Sequence, residues 1–434
     1  MGKLKASVHN LGCKVNAYES EAVMQLLEEA GYEIVPFSEP ADVIVINTCT
    51  VTAVADKKTR QMLHRARHKN PDAVIAAMGC YVEIHADDME RNEDADIIIG
   101  NNRKGELVSL LDGYFKEGKR SVFLSEDRSL KEYEQLSVSG TMAHTRAFMK
   151  VQDGCNRFCT YCIIPYARGR IRSRKPEDVR EETVRLAGSG IREIVLTGIH
   201  LSSYGREKDA GFSLADLVET VAEVPGISRI RLGSLEPGII DEEFVKRISA
   251  LPQVCPHFHL SLQSGCDKTL KNMNRAYTAA EYLEKCGMLR AYFDRPALTT
   301  DVIAGFPQET EEDFEESYAF VKKAGFFETH IFPYSKREGT LAAKMPGQCT
   351  EKVKKERVKR LLALDELQSQ AFLMQSLGKP AEVLVEECLE KDGKTVCTGH
   401  TMRYENVVFT GSAEMKNTLV TVEPFRADVR TLFA

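Results

Sequence analysis

The stretch GCNRFCTYC, Gly154 to Cys162, sets Cys155, Cys159 and Cys162 within eight residues, with gaps of three and two between them. A structural zinc closes with four protein ligands, and no fourth cysteine stands near this loop. Four-iron clusters are held by cysteine thiolates, normally four, so a triplet leaves one iron open to a reacting ligand. Such an open position separates catalytic metal sites from structural ones. The loop therefore predicts an iron–sulfur site with a vacant corner.

A second triplet is dispersed. Cys13, Cys49 and Cys80 each close an apolar run: KASVHNLGC, DVIVINTC and AVIAAMGC. The runs alternate with helical patterns at Ala17 to Ala30 and Asp56 to Lys69, and DADIIIGN reads as a fourth strand. Buried β-branched strands alternating with helices predict a doubly wound parallel sheet, whose strand C-termini share one edge. On adjacent strand ends the three cysteines converge into a second metal site. Taken singly, each also matches an ordinary buried cysteine. Gly12 and Gly79, directly before two of them, supply tight backbone.

Six strand-like segments follow in the middle of the chain: FMKVQDG, EIVLTGIH, RIRLGSLEP, HFHLSLQSG, ALTTDVIAGFP and THIFPYS. With helices such as Pro176 to Ala187 and Glu309 to Ala324 between them, they predict a partial or complete α/β barrel whose site lies at the strand C-termini. Gly198, Ser234, Glu236, Gln263, Ser264 and Gly305 fall there, each also an ordinary turn residue on its own.

The chain as a whole sets limits. A length of 434 residues predicts two or three domains, and 43% apolar residues can fill their cores. A net charge of −6 means that any nucleic-acid surface must be local. No basic-then-apolar leader and no membrane-length apolar run is evident. Twelve cysteines without such a leader predict metal or redox chemistry in a reducing, cytoplasmic setting.

The CxxxCxxC loop, with aromatic Tyr161 before its last cysteine, resembles the signature of radical S-adenosylmethionine (SAM) enzymes. Joined to the upstream triplet, LQSGCDKTLKNMNRAYT and DVIAGFPQETEEDF, it resembles the methylthiotransferases along essentially the whole chain. That resemblance implies two [4Fe-4S] clusters: one on Cys155, Cys159 and Cys162 that binds SAM, and an auxiliary one on Cys13, Cys49 and Cys80 that carries sulfur. It implies cofactor contacts from Tyr161, Gly198, Ser234, Glu236, Gln263 and Arg275. The usual Gly-Gly-Glu is absent around TGIH, and Cys266 stands where the family more often has serine. The expected domains are 1–124 around the auxiliary cluster, a linker at 125–145, a radical SAM partial barrel at 146–373, and a small antiparallel β-barrel of TRAM type at 374–434.

Two segments carry the nucleic-acid expectation. ARGRIRSRK, Ala167 to Lys175, alternates Arg168, Arg170, Arg172 and Arg174, which an extended segment would turn to one side as an RNA-binding stripe. In the β-rich tail, Arg403, Tyr404, Lys416, Arg426 and Arg430 are candidates for a basic, aromatic RNA face. LGCKVNAYES, NTCTVTAVADKKTRQ and LTGIHLSSYG resemble the type that methylthiolates carbon 2 of N6-threonylcarbamoyladenosine beside the tRNA anticodon, at position 37. The resemblance implies tRNA, a flavodoxin- or ferredoxin-like electron donor and a sulfur source as partners of a monomeric enzyme. The alternatives are isopentenyladenosine in tRNA, an aspartate of a ribosomal protein, or a non-catalytic iron–sulfur or RNA-binding protein.

Overall fold

The computed structural model describes residues 3–124, 132–138, 145–208 and 210–434; most of the expected linker, 125–131 and 139–144, lies outside the described residues. Six parallel strands form the first sheet: β1 (Lys5–Asn10), β2 (Glu33–Ile34), β3 (Val43–Thr48), β4 (Val74–Gly79), β5 (Ile97–Ile99) and β6 (Ser121–Phe123). Their order is β2-β1-β3-β4-β5-β6. β3 and β4 are buried at every position, as strands covered on both faces must be. The cover is α1 (Lys14–Glu29) and α5 (Leu107–Glu117) on one face, and α2 (Ala53–Lys69), α3 (Cys80–Ile84) and α4 (Ala86–Glu90) on the other. α1 begins earlier than its apolar pattern suggests, because extended Cys13 feeds straight into its first turn. α2 also begins earlier, at Ala53, where the Thr52 side chain caps the Ala55 N–H.

The part of the expected linker that is described, 132–138, is packed rather than loose. Leu136 and Val138 are buried against Tyr18 and Ala22 of α1, and the Tyr133 hydroxyl donates to the Lys150 carbonyl.

The second unit opens with β7 (Arg146–Asp153), the cysteine loop, α6 (Ile164–Arg168) and β8 (Arg172–Ser173). Helices α7 (Pro176–Gly188), α8 (Leu214–Ala222), α9 (Glu242–Ser249), α10 (Asp267–Asn272), α11 (Ala279–Tyr292) and α12 (Glu311–Ala324) are threaded among β9 (Glu193–Gly198), β10 (Arg229–Leu232), β11 (His257–His259), β12 (Ala297–Ala304) and β13 (Glu328–Pro333). The parallel strands pair as β7-β9-β10 and β11-β12-β13, and bridges Ile230↔Val254 and Leu235↔Leu260 carry the curl between the sets. This is the expected six-unit partial barrel.

Strand alternation divides its residues. Met149, Val151, Ile194, Leu196, Ile230, Phe258 and Val302 join the apolar core with the outer helices. Arg146, Lys150, Glu193, Arg231, His259 and Asp301 take the other, inner face.

After α13 (Glu351–Met374), β14 (Ala381–Lys391), β15 (Lys394–Thr401), β16 (Asn406–Thr410), β17 (Leu419–Val422), β18 (Arg426–Ala427) and β19 (Thr431–Phe433) form a curled sheet in the order β17-β14-β15-β16-β19-β18. Its pairs are antiparallel except β16 with β19. This sheet floors the half-barrel. Arg229 donates to the His400 and Glu382 carbonyls and Arg231 to that of Met402, while Tyr404 stacks on His257 beneath the guanidinium groups of Arg146 and Arg231. α1 covers the inner face at β7, where Lys150 pairs with Glu19 at 2.8 Å. The result is a cup with a floor, one covered side and a mouth at the strand C-termini.

Candidate active site

Both triplets converge at that mouth. In the first, Gly154 turns the chain out of β7 at φ +72°, and a Cβ there would lie 1.8 Å from the Arg170 carbonyl oxygen. Only glycine lets the loop close on itself, with the Cys155 N–H donating to the Gly169 carbonyl at 3.1 Å. The loop is tied to the barrel by Thr160, which bonds Met273 and Asn272 through its N–H and hydroxyl. Burial pushes the Cys155 thiol up to about 11 and the Cys162 thiol up to about 12, each raised further by the neighbouring cysteines. Three thiols brought together by one tight loop are a donor set suited to an iron cluster.

One guanidinium serves this site. Arg275 donates to the Cys159 Sγ at 3.3 Å, lies over the Tyr277 ring and pairs with Glu236 at 3.0 Å. Glu236 is 3% exposed and also binds Arg157 and His200. Burial alone would raise its carboxyl; the His200 hydrogen bond and the charges of Arg275 and Arg157 outweigh burial and hold it at about 2. Glu236 is thus an ionised anchor for the arginines around the loop. Gly198 has a comparable supporting role: a Cβ would meet Gln152 at 2.8 Å, and Gln152 braces the carbonyls of Asp153 and Gly154. Ser234 is exposed at the end of β10. Tyr161 meets Phe306 edge-on, and Gln263 adopts φ +70° beside it.

The second triplet follows from register. Asn10 is level with Asn47 and Thr48 with Gly79, so the ends of β1, β3 and β4 stand side by side. Cys13, Cys49 and Cys80 are electrostatic neighbours, and burial pushes the Cys49 thiol up to about 11. An asparagine pair that sequence reasoning missed braces them: Asn16 Nδ2 donates to Asn47 Oδ1 at 3.0 Å, and Asn47 Nδ2 returns a bond to the Asn16 carbonyl at 2.9 Å. Gly12 and Gly79 make room for it, since a Cβ at either would lie within 2.7 Å of an asparagine side chain.

The expected arginine stripe is corrected here. Arg168, Arg172 and Arg174 are buried, because α6 and a turn at Gly169 direct them into the seam between the first sheet and the half-barrel. Arg168 donates its Nε to the Cys80 Sγ at 3.1 Å and is gripped by Glu19 at 2.5 Å and Asp153 at 3.3 Å. Arg172 bonds the carbonyls of Arg168 and Arg170, and Arg174 pairs with Glu182 at 2.6 Å. Only Arg170 of the four is exposed, over the Phe158 ring. In the tail, Arg403 pairs with Asp294 at 3.0 Å and Arg430 with Asp365, while exposed Arg426 lies 3.8 Å above the Phe433 ring. Cys388 and Cys397, which have no telling spacing, are cross-strand neighbours with sulfurs 2.7 Å apart.

Between the triplets runs a cleft of about 290 Å³, lined by Val51 and Thr52 from the N-terminal domain and, from the half-barrel, by apolar Ile303, Phe332 and Pro333 together with Tyr161, Gln263, Asp301, Tyr334 and Arg337. The N-terminal domain is docked along it by Arg337, which donates to Asp56 at 2.6 Å and to the Thr50 hydroxyl at 2.7 Å. The Tyr334 hydroxyl and the Arg337 Nε are buried there without a partner among the described residues. The arrangement can hold two open-cornered clusters facing one cleft whose largely apolar lining carries a few polar groups. When bound, the clusters and SAM supply radical chemistry and sulfur transfer; the chain positions them and shields the space between.

A half-barrel that carries a three-cysteine loop at its mouth and is docked to a second three-cysteine domain defines a radical SAM enzyme with an auxiliary cluster. The comparisons agree: residues 149–321 match the Radical SAM superfamily and residues 5–100 match the uncharacterized protein family UPF0004. The chain is 42% identical to the threonylcarbamoyladenosine tRNA methylthiotransferase MtaB of Bacillus subtilis (strain 168), over 96% of this chain and 93% of that one. It is 35% identical to the tRNA-2-methylthio-N(6)-dimethylallyladenosine synthase of Desulfitobacterium hafniense (strain Y51), over 97% and 95%. This chain belongs to the radical SAM methylthiotransferase family. Among solved structures, the radical SAM methyltransferase TsrM from Kitasatospora setae shares the fold, with a TM-score of 0.56 and 14% identity over 76% of this chain and 72% of that one.

Proposed function

We propose that this enzyme methylthiolates carbon 2 of N6-threonylcarbamoyladenosine beside the anticodon of tRNA. The observation that carries the reading is the wall of the cleft between the triplets. Its unpartnered Tyr334 hydroxyl and Arg337 Nε, with Asp301 and Gln263, suit a polar substituent on the adenine. A dimethylallyl group has no polar atom to pair with them. The name of the Bacillus subtilis relative points the same way.

In this reading Cys155, Cys159 and Cys162 hold the SAM-binding cluster and Cys13, Cys49 and Cys80 the auxiliary one. Tyr161, Gln263 and Ser234 line the approach to SAM, with Gly198, Glu236 and Arg275 supporting the loop that holds its cluster. Exposed Arg170, Lys416 and Arg426 are the surviving candidates for phosphate contact. The enzyme works as a cytoplasmic monomer, reduced by a flavodoxin- or ferredoxin-like donor. Among the described residues no helix is long and apolar enough to cross a membrane.

The test is anaerobic reconstitution with SAM, a reductant and sulfide, followed by mass spectrometry of nucleosides from tRNA bearing either threonylcarbamoyladenosine or isopentenyladenosine. A methylthio mass gain on the threonylcarbamoyl nucleoside alone is expected. A gain on the other nucleoside alone overturns the substrate reading.

A further inference from the structure

Three inner-face side chains of the half-barrel meet on neighbouring strands. His259 ends β11 and is level with Thr299 of β12, while Asp301, two residues further along β12, is level with His330 of β13. Residues two apart on a strand share a face, and adjacent strands lie about 4.8 Å apart. The register therefore brings His259, Asp301 and His330 together, with ligand atoms that all lie within 4.8 Å of one another. The two histidine rings are stacked, their centroids 5.5 Å apart.

The ordinary reading is an ion pair with a second histidine stacked on it, and the hydrogen bonds speak against that. The His259 Nδ1 is engaged by the Thr299 hydroxyl at 3.0 Å, which leaves Nε2 as the free ring nitrogen. Nε2 lies 3.2 Å from the Asp301 Oδ2, yet the two are not aligned as donor and acceptor. Nε2 is buried without a hydrogen-bond partner among the described residues. A buried polar atom left unpaired is costly. A cation that takes a lone pair from both the nitrogen and the carboxylate would satisfy it.

We propose that His259, Asp301 and His330 hold a single divalent transition-metal ion, distinct from both clusters. Two imidazoles and one carboxylate are the donor set of zinc and ferrous sites that keep open coordination positions. Donors bound at about 2.0–2.2 Å stand about 3–3.5 Å apart, so the set has to draw together slightly. His330 has the freedom to do so, because its side chain is 45% exposed. The Thr299 contact gives His259 the support that a ligating histidine commonly receives at its other nitrogen. Asp301 also lines the cleft between the triplets, so the ion borders that cleft, and its open positions suit an oxygen donor such as a carboxylate. The site does not depend on which adenosine is modified.

The test uses the anaerobically reconstituted enzyme, in which iron occupies both cysteine triplets, with zinc chloride as the probe. Zinc and iron per chain are read by mass spectrometry after equilibrium dialysis over a zinc series. His330→Ala and Asp301→Ala each remove one ligand; unchanged iron shows that a variant is folded, and exposed His330 is the safer of the two positions. Two controls remove other donors. His64→Gln/His68→Gln takes out a histidine pair on α2 with rings 6.5 Å apart, and Cys388→Ser takes out a thiol beside Cys397. Wild type should take up about one zinc per chain without losing iron. Each ligand variant should bind that zinc about a hundred-fold or more weakly, beyond what loss of a supporting residue costs, and both controls should retain it. A wild type that takes up no zinc, a ligand variant that keeps it, or a control that loses it overturns the site.

Discussion

The Nε of Arg168 lies 3.1 Å from the Sγ of Cys80, joining the helix that follows one cysteine triplet to a sulfur of the other. The same guanidinium holds Glu19 and Asp153, with Lys104, Lys150 and Arg172 packed around the two carboxylates. Removing one member of such a buried set costs about 3–5 kcal/mol, because the charges left behind lose their counter-ion. Arg168→Met should therefore lower the melting temperature sharply and lose the auxiliary cluster, read as about half the iron per chain. Arg168→Lys keeps the charge without the planar fork. It should retain more iron but alter the paramagnetic resonance of the auxiliary site.

Gly154→Ala should abolish the SAM-binding cluster. The added Cβ would collide with the Arg170 carbonyl at 1.8 Å, and the φ of +72° disfavours any side chain. Since the Asn16–Asn47 brace is remote from this turn, the auxiliary cluster should survive. Iron near half of wild type, with no SAM cleavage, is the expected result; full iron with normal cleavage would count against the loop geometry.

Stability should also report on Glu236. Its carboxyl sits at about 2 in the folded chain against an ordinary 4.5, so it is a group whose folded value is depressed. Its contribution is present above pH 4.5 and is lost as pH falls through 2, amounting to about 3 kcal/mol at neutral pH. Urea unfolding of the metal-free chain should show wild type above Glu236→Gln at pH 7, with the gap closing below pH 3.

Salt dependence should sort the arginines. Arg170→Ala and Arg426→Ala should weaken tRNA binding and each reduce the slope of log affinity against log salt by about 1. Arg174→Ala should leave that slope unchanged and destabilise the fold, because its partner Glu182 is buried. Filter binding across a salt series, with thermal melts alongside, separates the two outcomes.

The features legible in the sequence are those with a local rule behind them. Apolar runs closed by Cys13, Cys49 and Cys80 place the triplet because parallel strand ends share an edge, and six strand–helix repeats announce the half-barrel. The arginine stripe shows where such rules stop. Alternation says that Arg172 and Arg174 share a side but not that the side faces inward, which depends on a domain seam made with Glu19 and Tyr18 from far upstream. The Asn16–Asn47 pair was invisible for a similar reason, since it needs the register of β1 on β3. Leu136 and Val138 gave a usable signal: two alternating apolar residues in a polar stretch were candidates for docking.

The charged seam also orders events during synthesis. The N-terminal domain leaves the ribosome first, as N-terminal domains do, and at that stage Glu19 has Lys104 beside it but neither Lys150 nor Arg168. The Cys80 sulfur gains its N–H donor only after residue 168 has emerged and α6 has docked. The sulfur-carrying pocket is therefore finished by the half of the chain made after it. A nascent or truncated N-terminal domain presents three thiols without the arginine that completes their surroundings.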